Sequence, residues 1–400
     1  MPYPAIFSFF SGLGFLDLGF EDAGFPVVYV NEVYEPFLKA YYHSRRILNR
    51  PVPAYGNYLG SIEALVGDKQ KVLSDLVAEA RHDTQAVGFI GGPPCPDFSV
   101  GGKNRGRDGD VGRLSEAYVE LIVQHRPDFF LFENVKGLWR TAKHRTFFEE
   151  IKSKLHQAGY ITDERLINSI DYGAPQNRER IILVGFQRSF LREPIIGDGN
   201  VLPENSFPWL AFAPYRSKDV LALPWPTHDP FVEGDARQMP TGIISELTAE
   251  YWFSLNQVSQ HPNAAHVFRP RAAITRFMTV DEGDDSRKSF KRLHRWRYSP
   301  TVAYGNNEVH IHPYFARRLS VSEALSLQSL PLNFELPSEM TLSAMFKGIG
   351  NGVPFLAARA LACSVATFLG VNDETDETHG FRFGEGDQVA PNRQTIPLHR

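Results

Sequence analysis

Cysteine is almost absent: of 400 residues only Cys95 and Cys363 are cysteines. Two thiols cannot build a disulfide framework and are too few for a cysteine-based zinc centre, so no metal site is expected. The opening Met1-Pro2-Tyr3-Pro4 carries no positive charge ahead of its apolar run, which argues against a signal peptide. No apolar run suffices to span a bilayer, since the longest helical one, Phe355–Leu369, is interrupted by Arg359. No membrane association is expected, and a cytoplasmic, reducing setting is. Excess basic charge is missing too: 42 Lys and Arg stand against 46 Asp and Glu, a net charge of -4. That excludes a polycation coating nucleic acid, but not a binder whose positive charge is local. Internal repeats are also absent.

What is present fits a loop-rich enzyme. The chain is 42% hydrophobic and 12% aromatic, with 28 prolines and 32 glycines, enough for a sizeable core in one large domain or two unequal ones. In the first half, apolar strands at 6–10, 27–30, 86–90, 129–132 and 181–186 alternate with helical patterns at 72–81, 114–124 and 147–156. Near-continuous apolar strands between helices predict an α/β fold, a doubly wound, mostly parallel sheet with ligands beyond the carboxyl ends of its strands. From about 190 to 310 prolines cluster and the alternation stops, which predicts a second, irregular module. Helical patterns return at 322–328 and 354–368.

Chemically suggestive residues fall at the predicted strand ends. Ser11-Gly12-Leu13-Gly14 follows the first strand, and Glu32 closes the second, 20 residues after Gly12. Glycines admit a ligand close to the backbone, and an acid there can accept ribose hydroxyls. Only two of the three dinucleotide glycines are present, so a plain glycine turn beside a surface Glu reads equally well. Cys95 sits in Gly91-Gly92-Pro93-Pro94-Cys95-Pro96, a loop that presents a thiol rather than burying it. Cys363, in an apolar helical stretch, is expected to be core. Glu133 ends an apolar strand, where desolvation favours the protonated acid; a loop-capping Glu is the alternative. Alternation places Gln176, Arg178 and Arg180 on one strand face, as an anion site or a salt-bridged surface. Together these groups suit covalent attack on an electron-poor ring.

In order and spacing these segments resemble the DNA cytosine-5 methyltransferases, over nearly all of 5–370. Phe10-Ser11-Gly12-Leu13-Gly14 is similar to the family's F-x-G-x-G cofactor loop, Asn31-Glu32 to its ribose-binding acid, and Pro94-Cys95 to its catalytic Pro-Cys. Glu133-Asn134-Val135 is similar to E-N-V, and Gln176-x-Arg178-x-Arg180 to Q-x-R-x-R. Arg317-Arg318-Leu319 with Glu323 resembles the R-x-L…E segment, Gly350-Asn351-Gly352-Val353 the late G-N-x-V, and Thr301-Val302 the family's Thr-Leu/Val pair.

The resemblance implies a catalytic domain of 1–190 plus 317–370, a target-recognition domain of 191–316 and an acidic extension of 371–400. It implies methyl transfer from S-adenosyl-L-methionine to C5 of a cytosine flipped out of duplex DNA. Cys95 would attack C6 and Glu133 protonate N3, while Arg178 and Arg180 position the base or an adjacent phosphate. The cofactor would lie among Phe10, Gly12, Leu13, Gly14, Glu32, Ile62, Pro94, Leu114, Asn351 and Val353. Ser99, Gln176 and Thr301 would face the substrate. Implied partners are double-stranded DNA and a separately acting restriction endonuclease, with the chain a monomer.

Four positions depart from the family pattern: Pro96 replaces a Gln, Phe15 a glycine, Gly352 a Ser, and Ser61-Ile62 stands where many members carry an Asp. From Arg287 to Arg297 six basic side chains interleave with Phe290, His294 and Trp296; Arg292, Arg295 and Arg297 are expected to meet phosphates. Residues 101–107, rich in glycine and basic side chains, are expected to close over the base. A tRNA cytosine-5 methyltransferase and a non-catalytic DNA-binding regulator remain open.

Overall fold

The computed structural model describes residues 3–94, 110–191, 199–269, 274–287, 289–302 and 309–371. Its first part runs β1 (Ala5–Phe9), α1 (Phe15–Asp22), β2 (Val27–Glu32), α2 (Glu35–Ile47), β3 (Asn57–Leu59), α3 (Ile62–Val66), α4 (Gln70–Thr84) and β4 (Val87–Gly91). It continues with α5 (Asp110–His125), β5 (Phe129–Val135), α6 (Lys136–Arg140), α7 (Ala142–Gln157), β6 (Tyr160–Asn168), β7 (Gln176–Asn177) and β8 (Glu179–Gln187). Seven strands form one sheet in the order β3-β2-β1-β4-β5-β8-β6. Pairing is parallel from β3 to β5, while β8 runs antiparallel to both β5 and β6. The sheet is thus doubly wound and mostly parallel, as the alternation predicts.

Both faces are covered, which is why the central strands are apolar throughout. On one face Phe7, Phe9, Phe89 and Phe132 pack with Tyr118, Leu121 and Ile122 of α5. On the other, Ile6, Val30, Ile90 and Leu131 pack with Phe20 of α1, Tyr41 of α2 and Leu361. Two strand glycines make room for rings: a Cβ at Gly88 would lie 2.2 Å from Phe129, and one at Gly185 2.2 Å from Phe130. Such contacts leave glycine as the only residue that fits.

After β8 come α8 (Ser217–Leu221), α9 (Ala249–Leu255), α10 (Ile274–Thr279), β9 (Lys291–Arg292), β10 (Ser299–Pro300) and β11 (His310–Ile311). These elements are short, matching the irregular module. Residues just past the expected boundary at 190/191 pack with the sheet. Val201 bridges to Thr162 of β6, and Leu202, Phe207 and Trp209 belong to the core beneath the sheet. The first part of the expected recognition segment is therefore built into the sheet's own packing.

The chain closes with α11 (Val321–Leu327), α12 (Leu342–Asn351) and α13 (Phe355–Leu369). Ser320 caps α11 in a capping box with Glu323, and Gly370 ends α13 in the left-handed region at φ 64°. Helix α13 packs along α1, returning the C-terminal segment to the first strand. The stretch Leu342–Leu369 reaches a mean hydropathy of 1.6, but Gly352 and Pro354 part it into α12 and α13, and 61% of its most apolar window is buried. Its hydrophobicity serves the core.

Candidate active site

The loop joining β1 to α1 turns through three positive φ angles: 55° at Phe10, 55° at Gly12 and 80° at Gly14. Only glycine adopts this region freely. A Cβ at Gly12 would meet nothing nearer than the Phe10 carbonyl at 3.9 Å, so its outer side is open. Glu32, at the end of β2, fixes the loop: Oε2 accepts the Gly12 N–H at 2.9 Å, and Oε1 accepts the Val33 and Tyr34 N–H groups. Asn31 donates to the carbonyls of Tyr58 and Gly60, tying β2 to the end of β3. Among the described residues, the buried Ser11 hydroxyl has no hydrogen-bond partner.

The other predicted pocket residues lie as follows. Leu13 is buried against α12, where a Cβ at Gly348 would lie 2.7 Å from it. Ile62 and, more loosely, Leu114 and Phe10 join the core on the same face. Asn351 ends α12 exposed and Val353 is buried beyond it. These residues fit a nucleoside-bearing cofactor, with glycines beside the loop, an acid at the second strand's end and apolar walls.

One strand pair further along, Glu133 sits near the end of β5. The Arg180 Nε lies 3.0 Å from its Oε1, and the register pairs Val135 directly with Arg180. A Cβ at Gly92 would come 2.8 Å from Glu133 Oε2, and the Asn134 amide donates to the Pro93 carbonyl at 3.4 Å. The carboxylate thus touches the turn leading into Pro94 and Cys95. Pro94 itself is exposed. Cys95, Ser99 and the stretch 101–107 lie outside the described residues.

Gln176, Arg178 and Arg180 do not form the single three-donor face that alternation predicts. The strand breaks at Arg178, between β7 and β8. Arg178 is buried, with Nη1 donating to the Val302 carbonyl at 3.2 Å and Nη2 to the Gly350 carbonyl at 3.1 Å. Burial, and then the charge of Arg180, push its pKa down. Gln176 donates to the Leu327 carbonyl and to Gln328 Oε1, and accepts the Val302 N–H. Both side chains staple distant segments to the site, while Arg180 is ion-paired with Glu133.

The C-5 cytosine-specific DNA methylase family model matches residues 5–366. The chain belongs to this family. As a member it is a DNA cytosine-5 methyltransferase, and enzymes of this family draw their methyl group from S-adenosylmethionine. The chain is 54% identical over 376 residues to the type II methyltransferase M.NmeDI of Neisseria meningitidis serogroup C, across 94% of this chain and 86% of that one. It is 30% identical over 390 residues to M.XorII of Xanthomonas oryzae pv. oryzae, across 92% and 86%. The fold is shared with the Dnmt2 methyltransferase of S. pombe, at TM-score 0.54 and 11% identity over 92% of this chain and 98% of that one. It is shared as well with an E. coli prophage protein described as a DNA modification methyltransferase, at TM-score 0.58 and 22% identity over 92% and 99%.

Within the methyltransferase, two of the departures from the family pattern touch each other. A Cβ on Gly352 would lie 2.2 Å from the Phe15 ring. Phe15, buried and edge-on to Phe334 at 5.3 Å, fills the space that a side chain at 352 would occupy. The larger residue on one side requires the smaller on the other.

Much of the basic run of the methyltransferase is engaged in the protein's own packing. Arg292 is fully buried, its guanidinium donating to the carbonyls of Val280, His312, Phe315 and Phe277 and lying 3.7 Å from the Phe231 ring centre. Arg295 is equally buried and locked to Glu282, with Nε at 2.8 Å from Oε1 and Nη2 at 2.8 Å from Oε2. Arg297 reaches Asp285 at 3.2 Å and the Gly283 carbonyl at 2.9 Å. Arg292 and Arg295 cross-link the module from within, and the half-buried Arg297 ties its surface turns together. Thr301 likewise spends its hydroxyl on the Asn177 carbonyl at 2.7 Å. Of the run, Arg287 is the exposed arginine; Lys288 is outside the described residues, as is the acidic tail. The R-x-L…E resemblance has a structural basis, since Arg317 grips Glu323 through both Nη atoms at 2.9 and 2.7 Å.

Sequence reasoning passes over Gln328, whose amide donates to the Ile349 carbonyl while its side-chain oxygen accepts from Gln176. It also passes over the charges behind the glycine loop, Asp17, Glu21 and Arg45. An acid inside the apolar run Phe15-Leu16-Asp17-Leu18 is the signal that points to them.

Proposed function

We propose that this methyltransferase modifies C5 of a cytosine flipped out of a specific duplex sequence, through an adduct between Cys95 and C6 of the ring. The observation that carries the reading is the Glu133 carboxylate, oriented by Arg180 and set against the turn that leads into Pro94-Cys95. In this mechanism the Cys95 thiolate bonds to C6, the displaced ring electrons pass toward N3, and Glu133 supplies the proton there. C5 becomes electron-rich as a result. S-adenosylmethionine, when bound, supplies an electrophilic methyl group at that carbon. The C5 proton then leaves to a base, the S–C6 bond breaks, and Cys95 departs as thiolate with the ring double bond restored.

Phe10, Gly12, Leu13, Gly14, Glu32, Ile62, Leu114, Asn351 and Val353 would hold the cofactor, with Glu32 offering its carboxylate to ribose hydroxyls. Arg178 and Gln176 act as positioning residues, keeping Val302 and Gly350 in place. The residues from about 214 to 316 read the DNA, with Arg287 meeting phosphate. The similarity to type II methyltransferases supports a modification enzyme of a restriction-modification system. In this reading the chain works as a monomer on cytoplasmic DNA, and a separate endonuclease acts beside it.

Bisulfite sequencing of DNA from cells expressing the chain tests this reading. Protected cytosines in one recurring sequence are expected. Unprotected DNA together with methylated tRNA would contradict it.

A further inference from the structure

Behind the glycine loop, on the side away from its open face, lies a dry cluster of charge. Arg45, in the last turn of α2, is fully buried. Its Nε lies 3.1 Å from Glu21 Oε1 and its Nη2 donates to the Gly14 carbonyl at 3.4 Å. Its guanidinium carbon stands 3.4 Å from the centre of the Tyr41 ring. Asp17, also fully buried, accepts from the Ser8 hydroxyl at 2.7 Å; Ser8 belongs to β1, the strand that feeds the loop. Among the described residues, Arg45 Nη1 and Glu21 Oε2 are buried without a hydrogen-bond partner. Burial pushes both carboxyls up, and the Arg45 charge partly offsets this.

Such a cluster is costly. Taking a guanidinium and two carboxyls out of water costs several kcal/mol per ion, and apolar side chains would fill the space without that cost. Its contact with the loop is direct: a Cβ on Gly14 would lie 2.4 Å from Arg45 Nη1 and 2.6 Å from the Tyr41 ring. A turn with three positive φ angles persists only where its surroundings hold it. Glu32 holds it at the Gly12 N–H, and Arg45 holds it at the Gly14 carbonyl, which also accepts the first α1 bond from the Leu18 N–H.

We infer that Arg45, clamped by Glu21 and seated on Tyr41, is the positioning residue that holds the Gly12–Gly14 turn in the shape that receives the cofactor, and so sets cofactor affinity. This rests on the reading of that loop as the S-adenosylmethionine site.

Calorimetric titration of the full chain with S-adenosylmethionine and, separately, S-adenosylhomocysteine tests it. Arg45→Met keeps the length of the side chain and removes the fork. It should weaken both ligands by about tenfold or more, the loss expected from one charge-assisted hydrogen bond. KM for the cofactor should rise in step, while kcat at saturating cofactor stays within about threefold. Arg45→Lys, which retains the charge and one of the two contacts, should fall between. A Kd within about twofold of wild type in folded Arg45→Met would overturn the inference, however much its Tm fell. Should circular dichroism show that variant unfolded, Glu21→Gln decides by the same twofold criterion, since it releases the clamp and leaves Arg45 in place. Absence of binding by the wild-type chain would instead refute the cofactor reading itself.

Discussion

Arg287 and Arg292 are five positions apart in one basic run and do opposite things. Arg292 is buried among carbonyls, an arrangement Arg adopts only when its donors are satisfied. Arg292→Met leaves those carbonyls unpaired in a dry interior and should cost about 3 kcal/mol or more of stability, read from the urea midpoint. Arg287→Ala should leave that midpoint unchanged, weaken DNA binding across sequences and reduce the salt slope by about one. Equal effects of the two on DNA affinity, with stability intact, would show the run to be a phosphate face after all. The sequence pattern carried the charges but not their direction. A chain of short elements has no periodicity from which to read which side chains point inward.

At the level of elements, legibility followed burial. Strands β1, β4 and β5 and helices α5, α7 and α13 show as uninterrupted apolar runs or clear helical spacing. Strand β6, Tyr-Ile-Thr-Asp-Glu-Arg-Leu-Ile-Asn, is half-buried through its polar middle and carries no uninterrupted apolar run to mark it. Helix α2 is missed because much of its surface is charged, and the one charge that matters, Arg45, looks like its neighbour Arg46. The joint departure at Phe15 and Gly352 is invisible in one dimension, since the partners lie 337 positions apart. It yields a double-mutant cycle. Gly352→Ser alone overpacks the site against the ring at about 1–3 kcal/mol, and Phe15→Gly alone leaves a cavity worth about 3–5 kcal/mol. The pair together should cost at least about 1 kcal/mol less than the sum. Additivity within about 0.5 kcal/mol in urea denaturation would refute the coupling.

The whole molecule carries its charge unevenly, and its buried histidines respond to acid as a set. Burial first, and then the charge of Arg81, lower the pKa of His125 to about 4. Burial, then Lys291 and Arg318, lower His310 to about 3. Burial also dominates at His312, lowered to about 3 against the opposing pull of Glu323. With folded values below the unfolded value of 6.5, the unfolded chain binds more protons. Stability is therefore full above that pH and falls as pH drops toward 4, by up to about 1.4 kcal/mol per pH unit for each histidine. The raised carboxyls of Asp17, Glu21, Asp163 and Glu250 act in the opposite sense, so the histidine part is isolated by variant. His310→Gln should lose about 1 kcal/mol less than wild type between pH 6.5 and 5.5, from urea midpoints at each pH. Equal losses would show that His310 titrates normally in the folded chain. At this scale the net charge of -4 proves uninformative. The proposed chemistry turns on a bond between one thiol and one base, and the decisive experiment is to incubate the full chain with duplex DNA and methyl-labelled S-adenosylmethionine, then digest the DNA to nucleosides. The account predicts label in 5-methylcytosine, lost by on the order of a thousandfold or more in Cys95→Ser; label surviving in that variant, or appearing on an exocyclic nitrogen, would contradict it.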